Sequence, residues 1–489
     1  MPNKFYVTTS IAYTNAPPHI GFALELCQAD VLARWHGLEG DARFFLTGTD
    51  EHGRKNLEAA QGADLEPKKY VDAMSAKFRE LARSLDISHD DFIRTSDRER
   101  HWPGVEAFWR RLADAGDLRK GQYKGLYCVG CEAFKKLSDL KDGRCPDHGT
   151  APEAIEEENW FFHLSRYQDE LLGLIEKDEL HIVPSERRNE VLSFIRQGLE
   201  DVSFSRPRKD LPWGIPVPGD ESQTIYVWAD ALPNYLTALG FGRGDDERFR
   251  TFWPADVHAI GKDILRFHAV IWPAMLLSAK FPLPKTLLVH GHILSGGQKM
   301  SKTKGNVVDP FALIERYGAD AVRWYLLKEI PTTGDGDFTE ARFREIYEGE
   351  LVNGLGNLLS RVVAVAEKAG EPITLRGHRI REEIASAWKS HRAALEAFRL
   401  DRALASVFDL VLYGNRLVEE RRPWEKENWR EALPDLLILL GNAAWILVPF
   451  LPKTAREMFI QLGIDPRDTT PWEERTLRPK KGEPLFPRI

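Results

Sequence analysis

Cysteine is scarce in this chain. Only Cys27, Cys128, Cys131 and Cys145 occur in 489 residues. That is too few to staple a chain of this length, which excludes a disulfide-built extracellular fold. Three of the four fall within residues 128–145, a spacing that points to a metal and a reducing compartment rather than to bridges. Long apolar runs are missing too. The most apolar late stretch, Leu436 to Leu451, is interrupted by Asn442 and Pro449 and is short for a bilayer. It is expected to be a buried bundle helix, with no membrane attachment. No apolar signal segment follows Met1-Pro2-Asn3-Lys4, so a cytoplasmic protein is expected. An excess of positive charge is also lacking. The net charge is −7, so any surface for a nucleic acid must be local. The sequence has no internal repeat and no low-complexity tract.

What is present is the composition of a soluble globular protein, 43% hydrophobic and 29% charged. The length predicts two to four domains. The chain is organised around Phe5 to Phe22. Phe5-Tyr6-Val7 is a short β-favouring run. Thr14-Asn15-Ala16-Pro17-Pro18 breaks regular structure, because proline fixes its own φ and restricts the residue before it. His19-Ile20-Gly21-Phe22 then opens a helical pattern running to about Trp35. Gly21 lets a ligand lie against the backbone. The first amides of a helix have no internal partners, and its dipole favours an anion. A strand end able to hold a nucleotide is one outcome, and a Pro-rich loop with a surface histidine is the other. Far along the chain, Gly296-Gly297-Gln298-Lys299-Met300-Ser301-Lys302-Thr303 offers a flexible lead-in and two lysines able to face one anion.

Other stretches carry chemistry of their own. Ala42 to Thr47 has a buried-strand pattern ending in Gly48-Thr49-Asp50-Glu51-His52-Gly53. Asp50 either faces a ligand at the strand end or caps the next helix. Helical patterns are expected from there to about Asp117. Cys128-x-x-Cys131 and Cys145-x-x-His148 are two ligand pairs suited to one tetrahedral zinc. Four protein ligands leave no open position, so that zinc would be structural, stapling a small unit with little core. Scattered reduced cysteines are the plainer alternative. The α/β pattern resumes at Thr224-Ile225-Tyr226-Val227-Trp228 and at Val257 to Asp263, with a helix expected from Ile264 to Ala279. Thr286 to His290 is the strand feeding the lysine loop. One nucleotide-binding sheet is thus expected to be split by a long insertion. From about Phe343 to Gly463 the pattern is helical, a bundle. Leu351, Leu355, Leu358, Leu359 and Val362 share one face, with Asn357 and Arg361 on its polar flank.

The stretches taken together resemble the class I aminoacyl-tRNA synthetases, whose paired signatures are His-x-Gly-His and Lys-Met-Ser-Lys-Ser. Here they stand as His19-Ile20-Gly21-Phe22 and Lys299-Met300-Ser301-Lys302-Thr303, with Phe22 where the family has a second histidine. The resemblance narrows to the methionyl-tRNA synthetases and covers nearly the whole chain. It rests on Tyr13, Thr49 to Gly53, Tyr226 to Ala231, Gly261-Lys262-Asp263-Ile264, the single knuckle and Asn357 to Arg361. There is no room for the large editing insertion of the valine, leucine and isoleucine enzymes.

The resemblance implies a Rossmann-type parallel sheet split by a zinc-knuckle insertion and followed by an all-α anticodon-binding bundle. The implied division is a catalytic half over residues 1–117, the insertion over 118–202, the second catalytic half over 203–330, and a linker, helical domain and tail over 331–489. ATP would be held by His19, Gly21, Phe22, Gly261, Asp263, Lys299, Met300, Ser301 and Lys302, with magnesium on its phosphates. L-Methionine would lie among Ile11, Tyr13, Trp228, Ala231, Tyr235, Ile264 and His268, with Asp50 on its ammonium group and Arg206 near its carboxylate. A thioether gains from sulfur–aromatic contact, although Trp228 and Tyr235 taken singly also suit a core. Cys128, Cys131, Cys145 and His148 would hold the zinc. Asn357, Arg361 and Trp424 would meet the anticodon of tRNA(Met). The implied activity is ATP-dependent charging of that tRNA by a monomer, the short tail after Gly463 leaving no extra domain. A non-catalytic tRNA-binding paralogue of the same fold is the alternative.

Overall fold

The computed structural model describes residues 3–489 except 129, 131–132, 136, 147–148, 301–304, 376–378, 426–427 and 466–474. The chain forms two compact units. The first comprises Met1–Pro18, Glu39–Glu80 and His89–Val289; the second comprises His19–Leu38, Leu81–Ser88 and His290–Ile489.

The first unit is built on a sheet of seven strands. They are β1 (Lys4–Thr9), β2 (Ala12–Tyr13), β3 (Ala42–Asp50), β4 (Asp91–Arg94), β5 (His181–Val183), β6 (Val257–Gly261) and β7 (Thr286–His290), in the order β2-β3-β1-β6-β7-β5 with β4 also on β3. β1 pairs in parallel with β3 and β6, β3 with β2 and β4, and β7 with β5. From β1 the chain crosses to β3 on one side, and from β6 it crosses to β7 on the other, with β5 added beyond β7. The order therefore reverses between β1 and β6, and open α/β sheets bind ligands beyond the carboxyl ends of the strands at such a point. β3 is buried through Phe44, Phe45 and Leu46 because it has neighbours on both edges. Gly48 permits the close approach of β4, since a Cβ there would lie 2.2 Å from the Ile93 carbonyl oxygen. The core gathers Tyr6, Phe44, Phe108, Trp272 and Leu287 on this sheet. The insertion adds a four-stranded sheet in which Leu118–Cys128 pairs antiparallel with Ala133–Lys135 and with Glu153–Phe162.

One expectation needs correction here. The region expected to be helical up to Asp117 contains β4, whose Phe92 and Ile93 are buried between polar neighbours. Where the α/β pattern resumes at Thr224 to Trp228, strand gives way to helix. Asp220–Ile225 is extended, and α2 (Val227–Ala231) follows at once. Asp230 of that helix is buried between two histidines, a tertiary demand that overrides the β-favouring residues before it.

The second unit contains α1 (Ile20–Leu38), buried over Ile20 and Phe22 to Ala33. Its Asp30 accepts from Arg34 at 2.8 Å, from the amide and hydroxyl of Ser88 at 2.7 Å, and pairs with the fully buried Arg323 at 2.8 Å. Arg323 also donates to the carbonyls of Phe450, Pro449 and Leu85, so the buried charge is met by one carboxylate and three carbonyls. The helical segment holds α3 (Asn357–Ala369), α4 (Arg381–Glu396), α5 (Leu400–Arg421), α6 (Trp429–Leu447) and α7 (Pro452–Leu462). A π-helical run, Tyr347–Gly356, leads into α3, and Leu351, Leu355, Leu358, Leu359 and Val362 are all buried. The tail packs back: Ile373–Thr374 pairs with Thr476–Leu477, and Tyr347 donates to the Pro487 carbonyl at 2.7 Å. No helix among the described residues is long and apolar enough to cross a membrane.

Candidate active site

Both signature stretches belong to the second unit. His19 is exposed just ahead of α1, and its Nδ1 accepts from the Gly21 amide at 3.0 Å. An Nδ1 that accepts has no hydrogen, so Nε2 carries it and is the ring's outward donor. Gly21 opens the helix beside it, and Phe22 is buried in the first turn. The lysine loop starts as a hairpin. Ile293–Ser295 pairs antiparallel with Gln298–Lys299 and in parallel with Gly336–Phe338. Gly296 (φ 60°) and Gly297 (φ 75°) form its two-residue turn, the conformation that matches strand twist and favours glycine. The two glycines thus make a defined turn, pinned by the Gly297 amide on Asp337 at 2.9 Å. Lys299 is exposed and Met300 half-buried. Ser301 and Lys302 lie outside the described residues.

The residues expected around methionine belong to the first unit. Asp50 is the last residue of β3 and is buried. It does not cap the following helix, Arg54–Gly62, whose N-cap is Gly53. Ile11, Tyr13, Trp228 and Ile264 are only half-buried, yet all pack on the same core. Ala231 and Tyr235 are buried. Gly261 ends β6, and Asp263 stands exposed after it. The His268 Nδ1 donates to the Ile264 carbonyl at 3.1 Å, which leaves Nε2 to accept from the Tyr235 hydroxyl at 2.8 Å. Burial pushes the His268 imidazole down to about 4, against the opposing Ile264 carbonyl, so the ring is neutral near pH 7. Phe267, which the sequence did not single out, stacks on Trp228 with ring centres 3.8 Å apart. Arg206 is buried, donates to the Ser203 hydroxyl and Ser205 carbonyl, and lies 3.8 Å from Glu157.

A buried network behind this set also escaped the sequence. His52 Nδ1 lies 2.6 Å from one carboxylate oxygen of Asp230, and His101 Nε2 lies 3.0 Å from the other. Burial pushes the Asp230 carboxyl up, but the two imidazoles, His52 first, outweigh it and hold the group below its usual range. The carboxylate therefore ties α2, which carries Trp228 and Ala231, to the end of β3. Adjacent Asp-x-His positions could have hinted at this, but the partner is far away in sequence.

In the insertion, Cys128 ends its strand and Cys145 sits in a tight turn closed by the Gly149 amide on its carbonyl at 2.7 Å; both are buried. Cys131 and His148 lie outside the described residues. In the helical segment Asn357 is exposed at the start of α3. Arg361, one turn on, places its guanidinium 5.2 Å from the Trp424 ring centre and pairs with Glu419 at 2.6 Å. Trp424 is 50% exposed, an open face on a large ring.

A parallel sheet whose order reverses, with an acid at a strand end, defines an α/β protein of the ligand-binding open-sheet class. The family model described as tRNA synthetases class I (M) matches residues 5–147 and 133–363, and the chain belongs to this family. It is 42% identical to the methionine–tRNA ligase of Caldanaerobacter subterraneus subsp. tengcongensis, over 100% of this chain and 79% of the relative. It is 41% identical to that of Brucella suis, over 99% and 98%. Among solved structures it is similar to Mycobacterium tuberculosis methionyl-tRNA synthetase in complex with methionyl-adenylate, with a TM-score of 0.93, 36% identity, and coverage of 99% of this chain and 100% of that one.

Proposed function

We infer that this chain is an aminoacyl-tRNA ligase that activates L-methionine with ATP to methionyl-adenylate and transfers it to the 3′ end of tRNA(Met). The observation that carries the reading is the half-buried set Ile11, Tyr13, Trp228 and Ile264 on one core with a buried acid at Asp50. Such side chains offer a thioether polarizable aromatic contact, and the acid suits an ammonium group. The solved relative holding methionyl-adenylate supports the same chemistry.

In the proposed reaction the methionine carboxylate attacks the α-phosphate of ATP and pyrophosphate departs. The chain's part is positioning and electrostatic stabilisation. The Nε2–H of His19, the α1 N-terminus beside Gly21 and Phe22, and Lys299 to Lys302 meet the phosphates, with Gly261 and Asp263 at the switch-point side. Asp50 takes the ammonium. Ile11, Tyr13, Trp228, Ala231, Tyr235, Ile264 and His268 take the side chain, where a neutral His268 adds no charge beside sulfur. Magnesium would arrive with ATP and neutralise phosphate charge. The tRNA ribose hydroxyl then attacks the carbonyl carbon of the adenylate, forming the ester as the bond to phosphate oxygen breaks and AMP departs. Asn357, Arg361 and Trp424 are proposed to read the anticodon by edge bonding and stacking.

A Cys3His zinc at Cys128, Cys131, Cys145 and His148 is proposed as structural. The two described cysteines fit, being buried at a strand end and in a tight turn. The proposed functional division keeps residues 1–117 and 203–330 as catalytic halves, 118–202 as the zinc-bearing insertion and 331–489 as the anticodon part with its tail. A cytoplasmic monomer is proposed with it; light scattering should return a mass near 55.8 kDa, and twice that value would refute it. The non-catalytic paralogue is not favoured, because the sequence keeps His19, Asp50 and the aromatic set Tyr13, Trp228 and Tyr235 of a working site. The deciding experiment is ATP–pyrophosphate exchange with each of the twenty amino acids. Exchange with methionine alone is expected, and no exchange with any of them overturns the reading.

A further inference from the structure

One continuous chain of buried hydrogen bonds runs behind the residues proposed to hold methionine. It begins at Thr14, just after β2. The Thr14 hydroxyl donates to Asn56 Oδ1 at 3.1 Å, and the Asn56 side-chain amide donates to the carbonyls of Asp50 at 3.2 Å and His52 at 2.9 Å. The Asp50 carbonyl also accepts from the Thr14 backbone amide at 3.1 Å. The His52 ring carries the chain on to Asp230, and the Asp230 carboxylate carries it to His101. An ionised carboxylate only accepts, so the hydrogens lie on His52 Nδ1 and His101 Nε2. In the neutral ring His101 Nδ1 then accepts from the Thr237 hydroxyl at 2.8 Å. None of Thr14, Asn56, His52, Asp230, His101 and Thr237 is more than 2% exposed.

Each link stands next to a different wall of the proposed methionine site. Thr14 follows Tyr13, whose register partner on β3 is Asp50. Asn56 and His52 hold the strand end that carries Asp50. Asp230 stands between Trp228 and Ala231 on α2, and Thr237 closes the short helix Asn234–Thr237 that carries Tyr235. Neither signature stretch contributes a residue to the chain. Apolar side chains of the same volume would stabilise such a core as well. They can also slide past one another, whereas a hydrogen bond fixes both a distance and a direction. A polar chain that reaches every wall of one site therefore suits the placing of those walls better than it suits stability.

We propose that Asn56, His52, Asp230 and His101 are positioning residues that set the walls of the methionine site relative to one another. The Asn56 end places Tyr13 against Asp50, and the His101 end places Trp228 and Tyr235 for the thioether. The proposal deepens the methionine-activation reading and rests on it. Its test is pyrophosphate exchange by the full chain with methionine and with norleucine, which has a methylene in place of the sulfur. Asp230→Asn keeps the side-chain shape but leaves one acceptor oxygen for two ring donors. Its methionine KM is expected to rise about tenfold, while the ATP KM stays within about twofold. The preference for methionine over norleucine, as a ratio of kcat/KM, should fall about threefold, because a methylene loses no sulfur–aromatic contact when the rings shift. Thr237→Val keeps its shape and removes only the hydroxyl. It should act in the same direction and less, and it decides alone where Asp230→Asn yields no folded protein. Folded variants that keep the wild-type methionine KM overturn the proposal. So does an equal loss for methionine, norleucine and ATP, which would make the chain a matter of stability alone. Wild-type protein that exchanges no amino acid would remove the activation reading itself, whereas normal wild-type exchange with unmoved variants removes only the positioning role.

Discussion

A methyl group at position 21 would lie 2.8 Å from His19 Cε1 and 3.0 Å from Nδ1. The imidazole would have to swing away, and the amide bond that fixes its Nε2–H tautomer would be lost. Gly21→Ala is therefore expected to slow pyrophosphate exchange by about tenfold to a hundredfold, since it misplaces a phosphate donor, with little change in methionine KM. An unchanged rate would take His19 out of the mechanism. The His268 imidazole gives a second residue-scale test. Its folded value of about 4 lies below the ordinary 6.5. Below pH 6.5 the unfolded chain takes up a proton that the folded chain refuses, so this stability is present above that value and is lost as pH falls toward 4. Between pH 7.5 and 5 the loss should be about 2 kcal/mol. His258 and His391 are also pushed down by burial and add losses of the same sign. Denaturant midpoints at the two pH values check this, and His268→Gln should lose less stability on acidification than the wild type. An equal loss would place the acid sensitivity elsewhere.

At the scale of elements, what was legible in the sequence was local chemistry. Phe5 to Val7, the Pro17-Pro18 break and the helix opening at Ile20 follow from propensities of neighbouring residues, and they fall in β1, the bend and α1. β4 was not legible because four residues with two buried side chains have no period to detect. The His52–Asp230–His101 network and the Trp228–Phe267 stack were hidden because they join elements that only the folded sheet brings together. The antiparallel Gln298–Lys299 strand was concealed by glycines that signal a turn as well as they signal looseness. The insertion supplies the prediction at this scale. Its sheet joins strands that are short apart from Leu118–Cys128 and Glu153–Phe162, and a metal is the expected staple for a unit with so little core. Cys145→Ser should lose zinc and raise protease cleavage within residues 128–150, while ATP-dependent exchange persists. Metal analysis of purified protein with mapped proteolysis checks it. A metal-free wild type resistant to cleavage would remove the knuckle.

For the whole molecule the question is whether amino-acid activation and tRNA reading can be separated by one substitution. Trp424 suits the test. Half of its surface is open, its ring meets Arg361, and it lies just beyond the end of α5, where the chain leaves the helix through Arg422 at positive φ. Its removal uncovers no core, because few atoms depend on an exposed ring for packing. Stacking of one base on such a ring contributes about 1–3 kcal/mol, so Trp424→Ala should raise the tRNA KM by about tenfold. Pyrophosphate exchange without tRNA should hold its wild-type rate, since neither signature stretch touches this side chain among the described residues. Arg361→Gln should act in the same direction and less than additively with Trp424→Ala, because the two share one cation–π contact. Equal losses in aminoacylation and exchange would mean that Trp424 acts through stability, and full additivity would mean that the two residues meet the tRNA independently.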